Sequence, residues 1–243
     1  INPNTAAAGE LTTFTCRLRP HIEPGDNGFD LIAIDTPAQV SGVEPVARIG
    51  GAEIDIEVTR MDGEGFAVKV PRVDSGSTGE LIELTFEARV FEYGTPFIPR
   101  LSDSELPFEV PQPVVEGEAD ENSDGRRLRV ALTSIPEDPI RNLRLSSPVV
   151  TPNGDGANDR VEIEYQLLNL TGEVPAAIGI YELSGRKVGE IGVGAGPVSG
   201  LFRVEWDGSG ERGTLPPGLY LLQVEIEADT GRNQAGRLVS VAY

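Results

Sequence analysis

Apolar and polar residues alternate one by one through most of this chain. The stretches at 10–20 (ELTTFTCRLRP), 29–37 (FDLIAIDTP), 52–60 (AEIDIEVTR), 65–71 (GFAVKVP) and 80–91 (ELIELTFEARVF) all follow a period of two. In a strand that period turns every second side chain to one face, which suits a half-buried sheet. Glycine-rich clusters separate the stretches: EPGDNG at 23–28, GG at 50–51, DGEG at 62–65 and DSGSTG at 74–79. Residues 52–70 read as a β-hairpin turning on the loop MDGE. The alternation resumes at 126–134, 142–150, 160–170, 176–185, 201–208, 218–231 and 236–243. No segment carries the 3.6-residue period of a long helix. Short strands closely spaced by turns predict an all-β chain of two tandem immunoglobulin-like β-sandwich domains.

Between the two runs the character changes. VPQPVVEGEADENSDGRR brings two prolines and then Glu116, Glu118, Asp120, Glu121 and Asp124 in quick succession. Such a stretch repels itself and stays solvated. It sets the expected division: a first domain over 1–112, an acidic linker over 113–127 and a second domain over 128–243. Asp120, Asn122 and Asp124 ahead of Gly125 match the first half of an EF-hand loop, but Ala131 stands near where the closing glutamate belongs. The stretch is therefore read as a linker.

Charge and composition narrow the function. The chain of 243 residues carries 39 acidic and 20 basic side chains, for a net charge of −19. Acids outnumber bases on both sides of Gln112, so the field covers the whole surface and repels nucleic acid and anionic lipid. No apolar run is long enough for a membrane-spanning helix, so membrane insertion is not expected. There is one cysteine and one histidine, which excludes an internal disulfide and any Cys/His zinc cluster. Cys16 shares a strand face with Phe14 and Leu18 and reads as a small buried hydrophobe. His21 is the sole candidate for a histidine base. No nucleophile elbow, P-loop or H-E-x-x-H motif is present. The chain is not expected to be an enzyme.

Several turns in the second half have local logic. In IYELSGRKV (180–188), Ile180 and Tyr181 run into a Ser-Gly turn and then a strand bearing Val188. In WDGSGERGTLPPGLY (206–220), Trp206 closes a strand pointing into the core. Asp207 and Gly208 open a turn, Pro216, Pro217 and Gly218 set the next corner, and Tyr220 starts the following strand. Tyr165, Tyr181 and Tyr220 read as strand-packing residues. With PNGDGAND (152–159) ahead of them, these motifs make the region from Leu145 to Tyr243 resemble the immunoglobulin-like domain of the flagellar hook-capping protein. They also resemble C-terminal modules of secreted bacterial proteins, some of which are sorting signals for type IX secretion. The resemblance implies an extracellular or cell-surface location. The first half resembles no family by motif.

PNGDGAND is also the one candidate ligand site. Asn153, Asp155 and Asp159, with the carbonyl of Ala157, offer alternating oxygens of the kind calcium takes, and the glycines let the chain wrap an ion. The same residues build an Asn/Gly/Asp turn that needs no metal. Three functions remain open. The first is a non-catalytic structural or interaction module: a spacer, surface-layer component or appendage subunit that binds other domains or copies of itself through sheet edges, even as a homo-polymer. The second is a C-terminal secretion-targeting module of a larger protein. The third is a carbohydrate- or ligand-binding module.

Overall fold

A computed structural model describes residues 1–106, 108, 110–117, 119, 127–170, 172–193, 198–228 and 231–243. Strands dominate the described residues, with one short 3₁₀ turn at Ser75–Ser77. The chain divides into two compact units, Ile1–Ile135 and Pro136–Tyr243.

In the first unit two sheets face one core. One orders Leu11–Leu18, Ile82–Arg89, Val46–Ile49 and Ala52–Ile54, and Gln39–Val40 also pairs with Ile82–Arg89. The other orders Gln112–Pro113, Ile98–Ser102, Phe29–Asp35, Gly65–Val73 and Glu57–Asp62. The period-two residues of both meet inside: Phe14, Cys16 and Leu18 from the first, Ile32, Ile34, Phe66 and Val68 from the second. Phe86 is the hub, with its ring centroid 4.9 Å from Phe66, 5.8 Å from Phe97 and 6.0 Å from Phe14. Each side chain of this size contributes about 1.5–3 kcal/mol by leaving water. Burial also pushes the Cys16 thiol up to about 11, so it stays protonated and inert.

The predicted hairpin at 52–70 holds only from Glu57 onward. Ala52–Ile54 pairs with Val46–Ile49 in one sheet, whereas Glu57–Asp62 pairs with Gly65–Val73 in the other. Ile54, Ile56 and Val58 all pack against the same core, so the alternation runs unbroken while the chain changes sheets.

The strand predicted at 126–134 belongs to the first unit and not to the second. Arg129–Leu132 runs parallel to Thr5–Ala6 and antiparallel to Thr95–Pro96, and it buries Val130 and Leu132 in the first core. The stretch expected to link two domains thus returns to the first. Gln112 and Pro113 pair with Leu101 and Arg100, and Glu116 accepts a hydrogen bond from the Leu128 N–H. Glu118 and residues 120–126, which include Asp120, Asn122 and Asp124 of the partial EF-hand pattern, lie outside the described residues.

The second unit has a three-stranded sheet, Ile140–Leu145, Val161–Leu167 and Gly200–Trp206. It faces a five-stranded one ordered Val149–Val150, Gly231–Val241, Gly218–Ala228, Ala176–Glu182 and Lys187–Ile191. The segment 142–150, expected as one strand, is two. Pro148 offers no N–H, and the chain leaves the first sheet there to run parallel to the last strand in the second. This is the immunoglobulin-like Greek key, and it carries a tyrosine corner: at the start of Gly218–Ala228, the Tyr220 hydroxyl donates back to the Pro216 carbonyl at 2.8 Å. Trp206 is buried, as its position ahead of the Asp-Gly turn suggested. The Ser-Gly turn also forms, with Gly185 at φ 87°.

Candidate functional site

The loop after Val149–Val150 brings the four predicted calcium ligands onto one exposed turn. Asp159 organises it: one carboxylate oxygen accepts the Gly154 N–H at 2.7 Å and the other accepts the Gly156 N–H at 2.8 Å. Those two backbone donors hold its carboxyl below the ordinary value. Gly154 and Gly156 lie at φ 79° and 86°, where glycine is strain-free. Asn153 Oδ1 accepts from the Asp155 N–H, and Asp155 Oδ1 accepts from the Ala157 N–H, each across two residues as an Asx turn. The Ala157 carbonyl accepts the Thr151 hydroxyl at 2.7 Å.

Each oxygen proposed as a ligand therefore already has a hydrogen-bond donor from within the loop. Only two of them are carboxylates, and among the described residues no group of three or more His, Cys, Asp or Glu gathers where a metal could sit. Calcium takes six to eight oxygens. The four residues supply only part of that number, and each of their oxygens keeps a second lone pair beside its hydrogen bond. The loop is also closed on itself by its backbone, with the Thr151 N–H donating to the Asn158 carbonyl at 2.8 Å.

Polar clusters missed by the sequence reading lie in the first unit. Asp103 is buried and meets Arg72 in a two-pronged pair, Nη1 to Oδ1 at 3.0 Å and Nη2 to Oδ2 at 2.6 Å, with the Glu105 N–H on Oδ1 as well. These partners hold the Asp103 carboxyl down to about 2. Nearby Asp30 is pushed up by burial, but Ser104 and Lys69 outweigh that and leave it below its usual value. Alternation could not reveal this, because Asp30 and Asp103 meet only when Ile98–Ser102 pairs with Phe29–Asp35. His21 lines a groove of about 420 Å³ with Pro20, Asp26, Phe29 and Asp103. Of the two acids there, Asp103 is committed to Arg72 and Asp26 accepts the Glu23 N–H.

The Arg72–Asp103 pair has a pH signature. Asp103 is depressed in the folded state, so its contribution is fully present above the ordinary carboxyl range and is lost as pH falls through about 2. Denaturant midpoints followed by circular dichroism between pH 4 and 2 should therefore fall more steeply in the parent protein than in Arg72→Gln. Equal slopes would deny the pair its role.

No protein family and no curated protein matches the chain. Among solved structures it is similar to dimeric latent PorU from Porphyromonas gingivalis, with 14% identity over 99% of this chain and 19% of that one, at a TM-score of 0.34. It is also similar to the C-terminal domain of the BspA AgI/II polypeptide from Streptococcus agalactiae, with 8% identity, coverage of 100% and 96%, and a TM-score of 0.32. A β-glucuronidase from Parabacteroides merdae matches at 9% identity over 100% of this chain and 29% of that one, with a TM-score of 0.30. The chain thus spans under a third of the PorU and glucuronidase chains. At these TM-scores the likenesses carry no argument about function.

Proposed function

We propose that this chain is a non-catalytic structural or interaction module of an exported bacterial protein, working through its surfaces and sheet edges. The observation that carries this reading is the state of the titratable groups. Among the described residues, every carboxyl displaced from its ordinary value moves down, held by arginine, lysine, hydroxyl or backbone partners. Hydrolytic acid–base chemistry calls for a carboxyl raised toward neutrality beside one that stays ionised. Downward shifts with fixed partners belong to structural ion pairs. A location outside the cell follows from the same resemblance that suggests the module's kind.

Sedimentation velocity at rising concentration tests the assembly part of this reading. With a net charge of −19, self-association through sheet edges is expected to strengthen as salt screens repulsion. A sample that stays strictly monomeric at high protein and high salt, with and without calcium, would remove it. Secretion targeting is the second reading, favoured by the turns shared with C-terminal sorting modules. Fusing residues 136–243 to a reporter tests it, and a reporter that stays in the cell counts against it.

A further inference from the structure

One sheet edge in the second unit is open along its whole length among the described residues. Gly200–Trp206 pairs on one side with Val161–Leu167 in unbroken register, from Leu167 opposite Gly200 to Val161 opposite Trp206. Its other side has no strand partner among the described residues. The facing of each backbone group follows from the neighbouring ladder. The Ser146 N–H donates to Glu162 O and the Leu168 N–H donates to Pro139 O, so even-numbered residues here turn their backbone toward Ile140–Leu145. Odd-numbered residues from Val161 to Leu167 therefore bond to Gly200, Phe202, Val204 and Trp206. Leu201, Arg203 and Glu205 are left with N–H and C=O groups pointing out of the sheet.

Most other long edges are interrupted in ways that block strand addition. Gly231–Val241 is covered by Val149–Val150 only at Ser240 and Val241, but it carries Arg232 and Arg237, the wrong sign for a basic segment. Leu11–Leu18 is met by Asn2, which exchanges two backbone bonds with Thr15. Glu57–Asp62 and Ile140–Leu145 carry register breaks. Lys187–Ile191 is capped by the small hairpin that follows Trp206, where the Glu211 N–H donates to Val188 O. Gly200–Trp206 has none of these devices.

The surroundings say what kind of strand fits. A groove of about 470 Å³ lies between this edge and Lys187–Ile191, and its wall holds Glu190, Glu205, Asp207 and Glu211 against one cation, Arg160. Arg160 is engaged by Glu205, Lys187 by Glu190, and Arg203, on the edge strand itself, by Glu162 and Glu164. On the inward face, Phe202 and Val204 are only partly buried. An added strand would thus place alternate side chains on apolar surface and on a negative surface. A second copy of this acidic chain is the wrong sign.

We propose that Gly200–Trp206 accepts, by strand addition, an extended segment of a partner protein in which apolar residues alternate with lysine or arginine. This rests on the interaction-module reading but not on self-assembly. The probe is a short fluorescein-labelled peptide alternating valine and lysine, titrated at protein concentrations where the chain is monomeric and read by anisotropy. Saturable binding that weakens with salt is expected. Arg203→Pro removes an outward N–H without costing an internal ladder bond, and should weaken binding at least about tenfold while leaving Trp206 fluorescence unchanged. Glu211→Lys should weaken it as well.

A peptide methylated on alternate backbone nitrogens reads the same edge without altering the protein, and should not bind; it decides the case if Arg203→Pro fails to fold. Absence of binding, equal binding of a valine–aspartate peptide, or binding indifferent to both Arg203→Pro and backbone methylation would overturn the proposal. A monomeric sample that binds the peptide at this edge loses only the assembly reading, and a self-associating one that ignores the peptide loses only this one.

Discussion

Phe86→Ala is expected to destabilise the first unit by about 3–5 kcal/mol, the range for deleting a buried aromatic ring and leaving a cavity. Phe86 is 2% exposed, and its ring touches three other phenylalanines: Phe14 and Phe66 from the two sheets, and Phe97 between Thr95–Pro96 and Ile98–Ser102. Removing it cuts those contacts together, and the neighbours, fixed on strands, can close only part of the gap. The chain supplies two natural reporters to check this. Its one cysteine lies in the core of the first unit and its one tryptophan in the core of the second. Thiol labelling of Cys16 should move to lower denaturant in Phe86→Ala, because the buried thiol reacts only once its sheet opens. Fluorescence of Trp206 should keep its midpoint, since the two cores share no residue. A joint shift of both probes would mean that the cores unfold as one.

The class of fold was legible because alternation is a local property. Phe14, Cys16 and Leu18 face one way for reasons contained in five consecutive residues, and the structure buries all three. The turns at Ser184–Gly185 and Asp207–Gly208 were legible for the same reason, since glycine takes positive φ without strain. Sheet membership was not legible. Ile54 and Val58 keep a period of two across a change of sheet, because both sheets line the same core. Residues 129–132 alternate just as a strand of the following domain would. Their partner Thr5–Ala6 lies at the other end of the unit, a pairing that no local pattern encodes.

The candidate site was legible in part. PNGDGAND announces a tight turn, and Asp159 makes one by gathering two glycine N–H groups. Whether its oxygens face an ion or their own backbone depends on loop geometry that composition leaves open. The free edge at Gly200–Trp206 could not be read at all. It is defined by what does not pair beside it among the described residues, and by the capping of Lys187–Ile191 through Glu211.

Gly65→Val shows how far two like residues can differ inside one turn. The loop DGEG joins Glu57–Asp62 to Gly65–Val73, and both of its glycines look equivalent in the sequence. A β-carbon on Gly63 would meet nothing within 4 Å. One on Gly65 would lie 2.0 Å from the Ile34 carbonyl oxygen, on a backbone at φ 129° that side chains rarely adopt. The clash is with the main chain of the adjacent strand, so no rotamer change relieves it, and Phe29–Asp35 would have to part from Gly65–Val73 in the middle of its sheet. Strain of this kind alone costs about 1–3 kcal/mol, and the lost pairing adds to it, so a total above about 3 kcal/mol is expected. Thermal unfolding followed by circular dichroism should show a lowered first-unit transition in Gly65→Val, while Gly63→Ala stays within about 0.5 kcal/mol of the parent. A Gly65→Val protein as stable as the parent would mean that the two strands do not approach so closely. The order of the five-stranded sheet would then have to be redrawn around a different partner for Phe29–Asp35.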